Sequence, residues 1–249
     1  MRPITRTALV LVAGLLAACD SGGNAAPATL DTVVSTASVP ASTTTVASEA
    51  STTTVAATVP DGAVSLAADG PWTLVDSAPG VTDPGLVYLL MPGLWVYLPI
   101  EEDIEHGITW VLNDDDVPVI EAYLMARLTY FTAITTDPID LDLEGWTRYY
   151  ADGGEQYRVN LEGRRAQGQV GDLDVGVVLR PVVLGEDRSD ATAIVFDCVL
   201  DGGVFRLPDG SLAAGSTPGV VPSGIGMRLL STAEGWVIEQ VGKQPDACF

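Results

Sequence analysis

The chain has 249 residues, with 33 Asp and Glu against 12 Lys and Arg, and a formal net charge of −21 at neutral pH. That balance leaves no basic patch to neutralise a phosphate backbone, so nucleic acid is not an expected partner. One histidine, one lysine and three cysteines also leave little material for zinc, nucleotide or nucleophilic chemistry.

Arg2 and Arg6 give a short positive start, and residues 8–18 are all apolar or Gly. Such a run is the length of a signal-peptide core and too short to span a bilayer. It ends in Leu16-Ala17-Ala18-Cys19, small residues followed at once by a cysteine. This pattern resembles the lipobox of bacterial lipoproteins. The resemblance implies a leader over residues 1–18, a diacylglyceryl group on the Cys19 thiol, and palmitate-type acylation of the mature N-terminus. It places the protein on the outer face of the cell membrane, held there by its acyl chains. Each buried methylene is worth about 0.8 kcal/mol, so two chains suffice for durable attachment. The alternative is an ordinary secretory signal with a chance cysteine at the cleavage point.

Loss of residues 1–18 would remove two arginines and no acid, moving the formal charge from −21 to −23. Residues 19–61 are then expected to be a lipid-anchored, disordered spacer. From residue 20 they carry no aromatic, Lys or Arg, and they include the tracts 43–45 and 52–54 of Thr. Such a segment cannot bury enough apolar surface to offset its ordering entropy. Its Ser/Thr/Pro content also resembles glycosylated stalks. An anionic domain is repelled by an anionic membrane, which gives a spacer a purpose.

Residues 62–113 are expected to form a strand-rich N-terminal addition. Trp72–Val75, Leu86–Leu90 and Leu94–Leu98 are candidate strands, and Met91-Pro92-Gly93 is a turn between the last two. Asp114-Asp115-Asp116 then precedes a helical pattern in Val117, Ile120, Leu124, Leu128 and Phe131, with Pro118 in its first turn and Asp as the expected cap. A second helical stretch, residues 143–165, is broken at Asp152-Gly153-Gly154 and thin in apolar residues. Leu173–Leu184, Ala191–Asp201, Gly226–Ser231 and Gly235–Val241 read as strands, the last two joined through Thr232-Ala233-Glu234. The expected fold is α+β over residues 114–249, with long N-terminal helices packed on one face of a curved antiparallel sheet.

Helix Ile120-Glu121-Ala122-Tyr123 onward, strand Val195-Phe196-Asp197-Cys198-Val199-Leu200-Asp201, strand Gly235-Trp236-Val237-Ile238 and near-terminal Cys248 together are similar to small actinobacterial lipoproteins with the nuclear transport factor two-like fold. The resemblance covers residues 114–249 and implies a cone with a pocket between helices and sheet. It implies no particular activity, because that fold hosts isomerases, cyclases and non-catalytic binding modules alike.

With Cys19 acylated, Cys198 and Cys248 remain. Outside the cytoplasm an even pair is most simply a disulfide, the alternative being two buried thiols. His106 sits in the charged stretch 101–107 and reads as a solvated surface residue. Asp140, Asp142 and Glu144 mimic the start of a calcium loop, but the twelfth position is Ala151, so the EF-hand match fails and no metal site is expected, the alternative being a looser calcium site over Asp137–Glu144. No cofactor motif is present either. For acid–base work in a cone the candidates are Asp197, Tyr130 and Tyr149, with Tyr150 beside them. Strand alternation puts Asp197 on one face with Val195 and Val199, opposite Phe196 and Cys198. Asp197 is a buried acid if that face is concave and a solvated one if it is convex. The solvated placement is the one expected.

Three functions follow. The preferred one is a non-catalytic envelope module that binds a small apolar molecule or another envelope protein. The others are an isomerase- or cyclase-like enzyme using Asp197 and a tyrosine, and a purely structural surface protein with its cone filled by side chains.

Overall fold

The computed structural model describes residues 57–102, 110–151, 153–244 and 248. Cys19, the leader, the spacer up to residue 56, and His106 lie outside the described residues.

Strand β1 (Thr73–Val75) pairs antiparallel with β2 (Gly85–Met91), which pairs antiparallel with β3 (Leu94–Pro99). The β2–β3 turn needs Gly93 twice over. Its φ is +81°, and a Cβ there would stand 2.6 Å from the Leu173 carbonyl oxygen. β2 and β3 are apolar at nearly every position because both faces are covered. Leu86, Tyr88, Leu94, Val96 and Leu98 join the main core, while Val87 and Tyr97 meet Ala78 and Val178 on the other side.

Helix α1 (Val117–Thr135) is buried on most sides, from Val119 and Ile120 through Phe131 to Ile134. A helix that is apolar nearly all round belongs in a core rather than on it. Pro118 sits in the first turn, as the sequence predicts. Asp116 takes the cap position but does not cap. Its carboxylate instead accepts from Asn113 Nδ2 at 2.7 Å, Trp110 Nε1 at 3.3 Å and Arg188 Nε at 3.2 Å. The second helical stretch resolves into one turn, α2 (Gly145–Arg148), and α3 (Gly153–Ala166).

The expectation of long helices is thus corrected. Among the described residues only α1 is long, and it follows three strands. The weak apolar content of α3 is the physical reason it stays peripheral: Leu161 is its one fully buried large side chain, and it packs against the last strand.

Strands β4 (Val170–Asp172) and β8 (Val204–Arg206) form a separate two-stranded ribbon that the sequence pattern did not disclose. The remaining strands are β5 (Val177–Leu179), β6 (Pro181–Val183), β7 (Thr192–Asp201), β9 (Val221–Thr232) and β10 (Gly235–Lys243). The large sheet runs β1-β2-β3-β5-β7-β9-β10, with β6 also on β7. Every pairing is antiparallel except β3–β5. The segment 62–113 therefore contributes three strands to the same sheet as the rest of the chain. The open side of β10 is partly occupied by the α2–α3 connection. Ile238 N–H donates to the Tyr149 carbonyl at 2.9 Å, and Ala151 N–H donates back to the Ile238 carbonyl at 2.8 Å. This is how a sheet edge is blunted.

The protein is therefore α+β, with a large, mostly antiparallel sheet carrying few helices. Cys198 and Cys248 are joined in a disulfide, their Cα atoms 5.0 Å apart. No helix among the described residues is long and apolar enough to cross a membrane.

Candidate functional site

One stripe of α1 carries the polar chemistry of the core. Tyr123, Arg127, Tyr130, Phe131 and Ile134 follow at helical spacing. Arg127 is the one charged residue between Glu121 and Asp137 in the sequence. Opposite this stripe lies the inward face of β7, where alternation brings Ala193, Val195, Asp197 and Val199 inside.

Asp197 has no exposed surface, which overturns the solvated placement expected from sequence. The face it shares with Val195 and Val199 is the covered one. Its burial is tolerable because both carboxyl oxygens are satisfied. The Tyr123 hydroxyl donates to Oδ2, and the Arg180 backbone N–H donates to Oδ1 at 2.6 Å. The second bond also explains why Leu173–Leu184 is not one strand. Arg180 falls between β5 and β6 and gives its amide to a side chain instead of the ladder. Burial raises the Asp197 pKa, opposed by the Arg127 guanidinium and by these two donors. Burial likewise pushes the Tyr123 hydroxyl well above its usual range.

Arg127 is 3% exposed and its Nε has no hydrogen-bond partner. Its guanidinium lies 4.9 Å from the Phe131 ring centre and 5.5 Å from that of Tyr130. It borders a cavity of about 130 Å³ whose wall includes Tyr130, Tyr157, Asp201, Phe205 and Ile225. With buried Phe131, Ile134 and Leu173 in its wall this is the inner cavity; a second, outer cavity of about 240 Å³ lies between α3 and the β9–β10 pair, lined by Tyr157, Ile225, Val241 and exposed Gln156, Asn160 and Lys243 among others. The two cavities share Tyr157 and Ile225. Ile225 is the register partner of Asp197 across β7 and β9. Yet neither Asp197 nor Tyr123 lines either cavity.

The acid on the inner cavity is Asp201, four positions further along β7. Its Oδ1 accepts the Gly203 N–H at 2.9 Å, and burial raises its pKa. Tyr130, a sequence candidate, does line the inner cavity, and burial pushes its hydroxyl up to about 12, against the pull of Arg127. Tyr149 does not; it is half-buried beside Arg148 and acts through its carbonyl on β10. Tyr150 is committed to the Ala126 carbonyl at 2.8 Å. Arg127, Tyr123, Tyr157 and Asp201 escaped the sequence reading. The legible signal was Arg127, a lone charge inside an apolar helical repeat. No cluster of three or more metal-ligating side chains occurs among the described residues.

No protein-family model and no curated protein matches this chain. Among solved structures it is similar to the intermembrane space region of the chloroplast protein ARC6, at 12% identity and a TM-score of 0.40, over 54% of this chain and 99% of that one. It is also similar to the Kfla4162 protein of Kribbella flavida, at 15% identity and a TM-score of 0.36, over 53% and 92% of the two chains. A third is a candidate calcium/calmodulin dependent protein kinase II association domain from Xanthomonas campestris, at 15% identity and a TM-score of 0.32, over 54% and 91%.

Proposed function

We propose that this chain is an acyl-anchored protein of the bacterial cell envelope, and that its folded part is a cone-like binding module of the nuclear transport factor two-like kind. In this reading the module is not an enzyme, and it holds a small, largely apolar molecule between α1, α3 and the sheet. The lipobox-like run ending at Cys19 and the spacer behind it support the location. The observation that carries the binding role is the pair of cavities that share Tyr157 and Ile225 as wall. A purely structural cone would be filled by side chains. An isomerase-like reaction built on Asp197 finds its base sealed off, since Asp197 borders neither cavity.

Two measurements test this reading. Cys19→Ala should release the protein from the membrane fraction; unchanged fractionation would remove the anchor. Native mass spectrometry of the full chain after exposure to envelope extract should show a retained small mass. That mass should be lost in Ile225→Trp, which enlarges a side chain on the wall that the two cavities share. A wild-type chain that stays empty would sink the binding role.

A further inference from the structure

A buried arginine needs an anion. Arg127 is 3% exposed, and no carboxylate stands within ion-pair distance of it among the described residues. The acids closest in the fold are engaged elsewhere: Asp197 with Tyr123 and the Arg180 amide, Asp201 with the Gly203 amide. The neighbouring rings of Tyr130 and Phe131 shield the guanidinium without giving it a charged acceptor. Its Nε is left without a partner, at the wall of an open cavity. Asp197 and Asp201 act on it only through space, and the Tyr157 hydroxyl beside it is a neutral acceptor, so the fork itself is bonded to no anion.

We infer that Arg127 receives the carboxylate of a small organic acid, whose apolar body lies along Phe131, Phe205 and Ile225 toward the outer cavity. The inference rests on the proposal that these cavities hold a ligand, and it names the chemical class. The size fits. A cavity of about 130 Å³ is close to the roughly 150 Å³ that accommodates a benzene ring. The charge fits a monoanion. A guanidinium fork matches one carboxylate in two parallel bonds, and the Asp201 carboxyl on the same wall opposes a second negative charge. Aromatic and aliphatic walls suit a carbon skeleton rather than a bare inorganic ion. The approach is consistent too: the chain's single lysine, Lys243, borders the outer cavity, and so offers local positive charge on an otherwise acidic protein.

Calorimetric titration of the full chain with benzoate, with its neutral isostere benzamide, and with sulfate tests the assignment. Benzoate should bind at least about tenfold tighter than benzamide, the usual scale of a charge-assisted bond. Arg127→Met should erase that preference, and the variant should fold, because an apolar side chain of similar length replaces a buried charge. Ile225→Trp should abolish benzoate binding with Arg127 still in place. Equal affinity for benzoate and benzamide would overturn the carboxylate assignment and leave ligand binding standing. Sulfate binding as tightly as benzoate would reduce the site to an unselective anion hole and overturn the organic-acid class. Binding of none of the probes would overturn this inference, and an empty chain after envelope extract would then overturn the wider reading as well.

Discussion

Asp197 sets an ionisable group among side chains that are otherwise apolar on the inward face of β7. Its pKa lies above the ordinary value of 3.8 because burial disfavours the charged form. For an acid with a raised folded-state pKa, the folded protein keeps its proton longer than the unfolded chain. Stability from this group is therefore fully present below 3.8 and declines as pH rises through the folded-state value. Asp197→Asn removes that slope while keeping an oxygen for the Arg180 amide. The stability gap between variant and wild type, from urea unfolding at a series of pH values, should move in the variant's favour from pH 3.8 upward. A constant gap would mean that Asp197 titrates as it does in the unfolded chain. Alternation identified the companions of Asp197 but could not say which face was covered. The partners that make its burial tolerable, Tyr123 and Arg180, lie 74 and 17 residues away. Arg127 was more accessible to inference, since a charge inside an apolar repeat is either exposed or held by a partner.

At the level of elements, the strong periodic signals were legible and the short ones were not. The β2–β3 hairpin, α1, β7 and the β9–β10 hairpin all follow from apolar spacing and turn residues. β4 and β8 are three residues each and gain their stability from each other, so no local pattern announces them. The split between β5 and β6 depends on a hydrogen bond to a side chain on β7, which local sequence does not show either. The disulfide has an outcome of its own. Cys198 and Cys248 close a loop of 50 residues, which the chain-entropy treatment values at about 4 kcal/mol. Reduction should lower the thermal midpoint markedly in calorimetry, with two thiols appearing by titration. A midpoint unmoved by reductant would show that the cross-link adds nothing to stability.

The whole molecule carries a formal charge of −21, with few cations to pair with. Among the described residues the ion pairs Arg188–Asp116, Arg206–Asp172 and Arg228–Glu239 join separate segments. Arg188–Asp116 is largely buried, while the other two lie at the surface, where such pairs contribute about 0–1 kcal/mol each, too little to offset broad self-repulsion. Moderate salt should therefore raise the melting temperature, because the Debye length falls from about 30 Å at 0.01 M to about 8 Å at 0.15 M. A fall in melting temperature over that range would assign the ion pairs more weight than the net repulsion.

The parallel pairing of two strands, β3 with β5, has a kinetic meaning. Leu94 meets Val177 only after α1, α2 and α3 have been threaded between them. The opening hairpin can form early on its own, but it has no seat until β5 and β7 are assembled. Its Tyr88, Val96 and Leu98 must wait with apolar surface uncovered. Amides of β1–β3 are accordingly expected to gain protection in hydrogen-exchange refolding after those of the β7–β9–β10 block. The order of synthesis and the order of docking would then run in opposite directions along this chain.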